Sequence, residues 1–356
     1  MSPVATERAR RELGFYTLAG HPESPRDLVH EIRRAEDVGL DAAFIGERWN
    51  VKEAATLSGA AGAVSESIAI ATAATNYSTR HPVITGSYAT TMHRLTGGRF
   101  TLGLGRGIKP LMDMLGLPVA TISQLEDFAG LMRRMWRGET IVGHDGPAGR
   151  YDVLRLLDPS FDEDIRLGLT AWGPKTCALA GRAFDQVVLH TFFTDEALER
   201  CVTDIRTAAE RADRNPDEIE IWSVFATVTG DVDSAVLLRK VTARLATYLQ
   251  LPGYGEGLVA ANGWDSAVLH RFRTDPVVES FGREMIDQTA TPDQLEHIAG
   301  LLPPEWTAPA AYGSAEDCAG AVRGQLDLGA TGVIMHGATP DELAPVVEAY
   351  RTVAAE

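Results

Sequence analysis

The sequence predicts an α/β protein built as a (β/α)8 TIM barrel with a helical insertion after the seventh strand. Three observations predict it. Short apolar runs alternate with amphipathic helical patterns, the alternation repeats eight times, and strands separated by helices need crossovers that make the sheet parallel. A doubly wound sheet is the competing arrangement and ranks second. The 356 residues suit one elaborated barrel, read as a single domain over 1–356 with insertions at about 138–164 and 231–310.

The first strand, residues 13–18, ends at Ala19, Gly20 and His21. Ser24 reads as an N-cap, Pro25 suits the first helical position and Asp27 completes a capping box. Leu28, Ile32, Ala35 and Val38 then recur at helical spacing until Gly39 ends the helix. Strand two, 41–45, runs into Glu47, Arg48 and Trp49, and an Ala-rich helix spans 51–64. Strand three, 67–75, puts Ala69, Ala71 and Ala73 on one face and Ile68 and Ile70 on the other. Those small side chains either fit a crowded barrel wall or leave room for a planar ligand.

Helix 82–95, strand 99–104 and helix 122–136 complete the first half, followed by the Gly-, Asp- and Pro-rich excursion 138–164. Strand five is 165–171, a helix starts over 174–181, strand six is 186–191 and a helix covers 195–214. Strand seven, 218–229, precedes the helical insertion, and helix 315–328, strand 332–336 and helix 341–353 close the chain.

Lys plus Arg number 33 against 49 Asp plus Glu, a formal net charge of -16. So acidic a chain is a poor ligand for nucleic acid and is repelled by anionic membranes. Any anion it binds needs a local nest of cations and N–H groups. No apolar run approaches the roughly 18 residues of a membrane span, and residues 1–12 are charged rather than signal-like. Cys177, Cys201 and Cys318 fall in helices without ligand spacing, so no Cys-based metal site is expected, and the low cysteine count fits a reducing cytoplasm.

Functional residues of a barrel sit where strands end. Gly103, Gly105 and Gly107 follow strand four without making a GxGxxG fingerprint; they allow a tight turn or the close approach of a flat ring or phosphate. Trp172, Gly173, Pro174, Lys175 and Thr176 open a helix after strand five, where free N–H groups attract anions. His21, His190 and His336 each follow a strand. Glu47 and Arg48 form either a surface ion pair or groups pointing into the mouth. HExxH, GxSxG and Walker A sequences are absent, which removes support for metalloprotease, hydrolase-elbow and P-loop readings. Tyr248, Tyr254, Trp264, Phe272, Phe281 and Trp306 give the insertion either a satellite core or a roof over an apolar pocket.

Three stretches, 35–41, 79–82 and 95–107, together with Gly173-Pro174 and 180–183, resemble the bacterial-luciferase-like superfamily. The opening 13–20 is similar to its deazaflavin branch, the coenzyme F420-dependent oxidoreductases of actinobacteria. The resemblance implies a cofactor lying across the C-terminal mouth of the barrel. It implies a non-prolyl cis peptide behind the cofactor ring at about Ala73, Ala74 and Thr75. Asn76 would meet the ring or its ribityl chain, Gly105, Arg106 and Gly107 would lie beneath it, and Gly173 to Thr176 with Trp172 would hold its phosphate. Arg80, Arg106 and Lys175 would attract the polyglutamate tail. Arg48 would steady negative charge, and Glu47 or His21 would exchange the proton. Ile108 and Arg48 stand where sugar-phosphate dehydrogenases of the superfamily keep a glutamate and a histidine, which argues against their substrate. The expected partners are a small-molecule substrate, a second copy of the chain in a homodimer, and an F420 or flavin reductase as source of reduced cofactor. The alternatives are an FMN-dependent two-component monooxygenase of the same fold and a flavin-free binding barrel.

Overall fold

The computed structural model describes residues 11–158, 160–230 and 233–354, so the charged leader 1–10 and the start of the insertion lie outside the described residues. The strands in chain order are β1 (Leu13–Tyr16), β2 (Ala42–Ile45), β3 (Ala69–Thr72), β4 (Phe100–Leu104), β5 (Ile141–Gly146), β6 (Gly149–Leu154), β7 (Arg166–Thr170), β8 (Gln186–Val188), β9 (Glu220–Thr229), β10 (Ala310–Gly313) and β11 (Gly332–His336). The parallel order β11-β1-β2-β3-β4-β7-β8 closes through β8 on β9 and β9 on β11, making the expected eight-stranded barrel. β10 is an extra parallel strand on the outer half of β9, pairing Ala310 with Ala226.

Two filled layers explain the side-chain pattern. Inside, Ala42, Phe44, Ala69, Ala71, Ala73, Val188, Trp222, Val224 and Ile334 form one buried cluster. The Phe44 and Trp222 rings meet edge to face at 4.9 Å. A Cβ on Gly14 would stand 2.8 Å from Phe44, and one on Gly332 would stand 2.7 Å from Trp222. Bulk on two strands is therefore matched by small residues on their neighbours, as dense packing requires. Of the two readings of the alanine face, the crowded wall holds for Ala69 and Ala71. Ile68 and Ile70 belong to the outer layer, packed with the helices.

The helix Leu28–Val38 buries Leu28, Ile32 and Ala35 and ends at Gly39 with φ 86°, the left-handed cap its sequence predicts. The predicted capping box before it does not form. Ser24 accepts from the Arg26 N–H and caps a separate 3-10 turn, Pro25–Asp27, because Pro25 tightens the entry. Three elements go beyond the sequence pattern: the short helix Lys109–Met114, the hairpin β5–β6 within the excursion, and β10. The insertion resolves into short helices from Ser234–Leu237 to Pro304–Thr307. Its aromatics divide. Trp264 and Trp306 stack at 4.5 Å, with Phe272 and Phe281 buried in the same core, whereas Tyr248 and Tyr254 pack on His190 at the barrel mouth.

Candidate active site

β3 stops at Thr72 because the chain bulges there. The Ala73–Ala74 peptide is cis, at the position the resemblance assigned to it. Thr75 returns to the sheet, giving its N–H to Gly103 O at 3.0 Å and accepting from the Gly105 N–H at 2.8 Å. Glu47, at the end of β2, holds this bulge from behind. Its Oε2 accepts from Thr75 Oγ1 (2.7 Å) and Asn76 Nδ2 (3.2 Å), and its Oε1 accepts from Arg80 Nη2 (2.6 Å). Arg80 also donates to Thr75 Oγ1 at 3.0 Å and pairs with Glu53. Burial pushes the Glu53 carboxyl up, but hydrogen bonds from the Thr56 hydroxyl and N–H, and then from Arg80, bring it down to about 2. The Glu47 side chain is 5% exposed. With both oxygens engaged, it reads as a positioning residue rather than a free proton carrier, and Arg80 spends its charge on two carboxylates.

Asn76 is turned to its own loop, its Oδ1 accepting from the Ser78 and Thr79 N–H groups at 3.1 and 2.9 Å. Gly105 lies directly against the bulge. A Cβ there would stand 3.1 Å from Ala74 Cβ and 3.0 Å from Thr170 Oγ1. Gly107 takes φ 88°, and the neighbouring Arg106 is exposed with its Nε donating to Ala120 O at 2.8 Å. After β7, the helix Pro174–Ala183 starts at Gly173 with no side-chain cap. Lys175 is exposed there and Thr176 is buried. Nothing lies within 4 Å of where a Gly173 Cβ would be. An uncapped helix end beside open space and a lysine can take a phosphate. Trp172 is built differently. Its ring stacks on His190 at 5.0 Å and meets Tyr254 at 4.9 Å, so it walls the mouth.

The His190 ring gives its Nδ1–H to Thr191 O at 2.6 Å, which leaves Nε2 to accept from the Tyr254 hydroxyl at 2.7 Å. Burial pushes this ring down to about 4, so it is neutral. Burial also holds His336 well below its ordinary value, with the nearby cations adding to the effect. The Tyr16 phenol, edge-on to His336 at 5.7 Å, is raised by burial. His21 is tied to the insertion. Gln288 Nε2 donates to its Nδ1 at 2.9 Å, so its Nε2–H faces Asp287 Oδ2 at 3.0 Å.

The structure thus gathers Glu47, Ala74, Thr75, Asn76 and Gly105 around one bulge and sets Gly173, Lys175 and Thr176 two strands further along the rim, after β7. Two mouth residues escape sequence reasoning. Lys52 lies past the end of β2 and Arg244 lies inside the insertion, and neither belongs to a motif. Sequence did expect isolated cysteines, yet Cys177 and Cys201, both buried, are neighbours across two packed helices. Among the described residues no cluster of metal-binding side chains occurs, and no helix is long and apolar enough to cross a membrane.

The luciferase-like monooxygenase family profile matches residues 11–332, and the chain belongs to that family. It is 24% identical over 308 residues to a 5,10-methylenetetrahydromethanopterin reductase of Methanolobus tindarius, covering 86% of this chain and 89% of the relative. In structure it is similar to the coenzyme F420-dependent tetrahydromethanopterin reductase from Methanopyrus kandleri, with TM-score 0.78, 20% identity, and 97% and 99% of the two chains covered. The oxygenating constituent of 3,6-diketocamphane monooxygenase from Pseudomonas putida, bound to FMN, is similar at TM-score 0.65 and 17% identity, covering 97% of each chain.

Proposed function

We propose that the protein is a coenzyme F420-dependent oxidoreductase that passes a hydride between the deazaflavin C5 and a small organic substrate. The observation that carries this reading is the bulge at the end of β3, locked by Glu47, Thr75 and Arg80 at the mouth of the barrel. The open, uncapped start of the helix Pro174–Ala183 supports it with a place for the cofactor's phosphate. The M. kandleri enzyme, whose name carries F420, also aligns better than the FMN-bound monooxygenase.

When bound, the deazaflavin supplies two-electron hydride chemistry at C5. The chain supplies position and charge. Ala74 and Gly105, small and packed together, leave room for a flat ring, and Thr75 is held by Glu47 and Arg80. Lys175 and the first-turn N–H groups would bind the phosphate, and Trp172 and Tyr254 would exclude water on the insertion side. Arg48 lies on the β2 side, its Nη1 donating to Glu47 O at 3.0 Å. The proton that balances hydride transfer would pass through His21, whose side chain is 39% exposed and which has to leave Gln288 or Asp287 to exchange it.

Fluorescence titration with oxidised F420 and, in parallel, FMN tests this reading. F420 is expected to bind more tightly, more weakly as salt is raised, and about fivefold or more weakly in Lys175→Ala, since one charged contact is worth about 1 kcal/mol or more at such a site. Preference for FMN with oxygen consumption would make the chain a two-component monooxygenase fed by a reductase. Failure of both cofactors to bind would overturn the enzymatic reading.

A further inference from the structure

Three cations from two segments, Arg48 and Lys52 after β2 and Arg244 in the insertion, act on one another at the mouth. Arg48 curls back over the end of β2, and a Cβ on Gly46 would stand 4.0 Å from both Arg48 Nη1 and Tyr16 Cε1. The Arg48 N–H also bonds to Lys52 O at 2.9 Å, which fixes the two residues in one tight turn. Lys52 reaches across to the loop after β1, donating to the Leu18 and Gly20 carbonyls. Arg244 comes down from the insertion and pairs with Asp287 at 2.8 Å. Asp287 is the carboxylate that also bonds His21, the residue after Gly20.

The charges do not balance. Among the described residues, Arg244 alone of the three has a carboxylate within ion-pair reach, and it shares that carboxylate with His21. Arg48 and Lys52 bond only to backbone carbonyls. Burial, with the Arg48 and Arg244 charges beside it, pushes the Lys52 ammonium down to about 8 despite the opposing pull of Glu31. His336 at the end of β11 feels the same three cations, and its buried Nδ1 has no hydrogen-bond partner among the described residues. In a chain of net charge -16, three cations crowded together against Asp287 and the more distant Glu31 are a costly arrangement that a bound anion relieves.

We infer that the substrate carries an oxyanion, a carboxylate, phosphate or sulfonate, that docks between Arg48, Lys52 and Arg244. This rests on the mouth being the substrate side of an F420-dependent enzyme. The phosphate or glutamate tail of the cofactor has the same chemistry; these cations are assigned to the substrate because Gly173–Lys175, after β7, offers the cofactor's phosphate a place of its own, while Lys52 reaches the loop after β1 and Arg244 comes from the insertion.

The test is calorimetric titration of the intact protein with inorganic phosphate and with sulfate, in the absence and presence of saturating F420. The proposal expects binding that persists with F420 present and weakens about tenfold or more in Lys52→Met and in Arg48→Gln, the loss of one charge-assisted contact. It expects F420 affinity to be unchanged by either substitution. Arg48→Gln is the control for folding, since Arg48 is exposed and its side chain bonds only one carbonyl. Displacement of phosphate by F420, or weakened F420 binding in these variants, would hand the cations to the cofactor and overturn the proposal. Equal phosphate binding by wild type and both variants, or none at all, would also overturn it. Phosphate binding that responds to the variants in a protein that never binds F420 would retain the anion site and remove the cofactor reading.

Discussion

Glu47 shows how a single side chain can serve a site without touching its chemistry. Its two oxygens tie Thr75, Asn76 and Arg80 together beneath the bulge. Removing one partner of a buried ion pair costs about 3–5 kcal/mol, and because Glu53 keeps hold of Arg80 the Glu47→Ala variant should lie near the lower end, about 3 kcal/mol, measured by urea unfolding. Glu47→Gln should lose stability and F420 affinity together. A Gln variant with normal stability and normal F420 binding but no turnover would restore Glu47 as the proton carrier. His190 has a different signature. An unfolded histidine takes its proton near 6.5, whereas the buried ring waits until about 4. Between those values the unfolded chain binds the extra proton, so stability falls as pH is lowered from 6.5 to 4, by about 3 kcal/mol for this ring. His190→Gln should flatten that acid limb in urea midpoints taken at intervals across the window. An unchanged pH slope would mean that the folded ring takes its proton at or above 6.5, no later than the unfolded one.

At the scale of elements, the barrel strands and their helices were legible because each carries a period of its own. The helices Pro82–Leu95 and Ile122–Trp136 fall where the sequence predicts, between a proline or Thr121 cap and an apolar stripe. The hairpin β5–β6 was not legible. Its residues face solvent on both sides in most positions, so no alternation marks it. β10 is four residues long and is specified by pairing with β9, which lies 80 residues earlier. Gly105 joins two elements, and a larger side chain there has nowhere to go between Ala74 and Thr170. Gly105→Val is expected to cost about 1–3 kcal/mol by overpacking and to weaken F420 binding further by displacing the bulge. Wild-type affinity in that variant, measured by the same fluorescence titration, would separate Gly105 from the cofactor surface.

For the whole molecule, the sequence by itself determined the parallel barrel and the turn glycines after strand four, and its family resemblance implied the position of the third-strand bulge. The barrel and the glycines follow from local patterns: apolar period, caps, and motifs whose residues are neighbours in the chain. Tertiary structure decided the rest. It paired Glu47 with Arg80, stacked Trp172 on His190 and against Tyr254, clasped His21 to Asp287, and set Arg48, Lys52 and Arg244 around one mouth. Those pairings join residues up to 266 apart in sequence. No local period encodes them, because they arise only when barrel closure and the docking of the insertion bring distant strand ends within a few ångströms of one another.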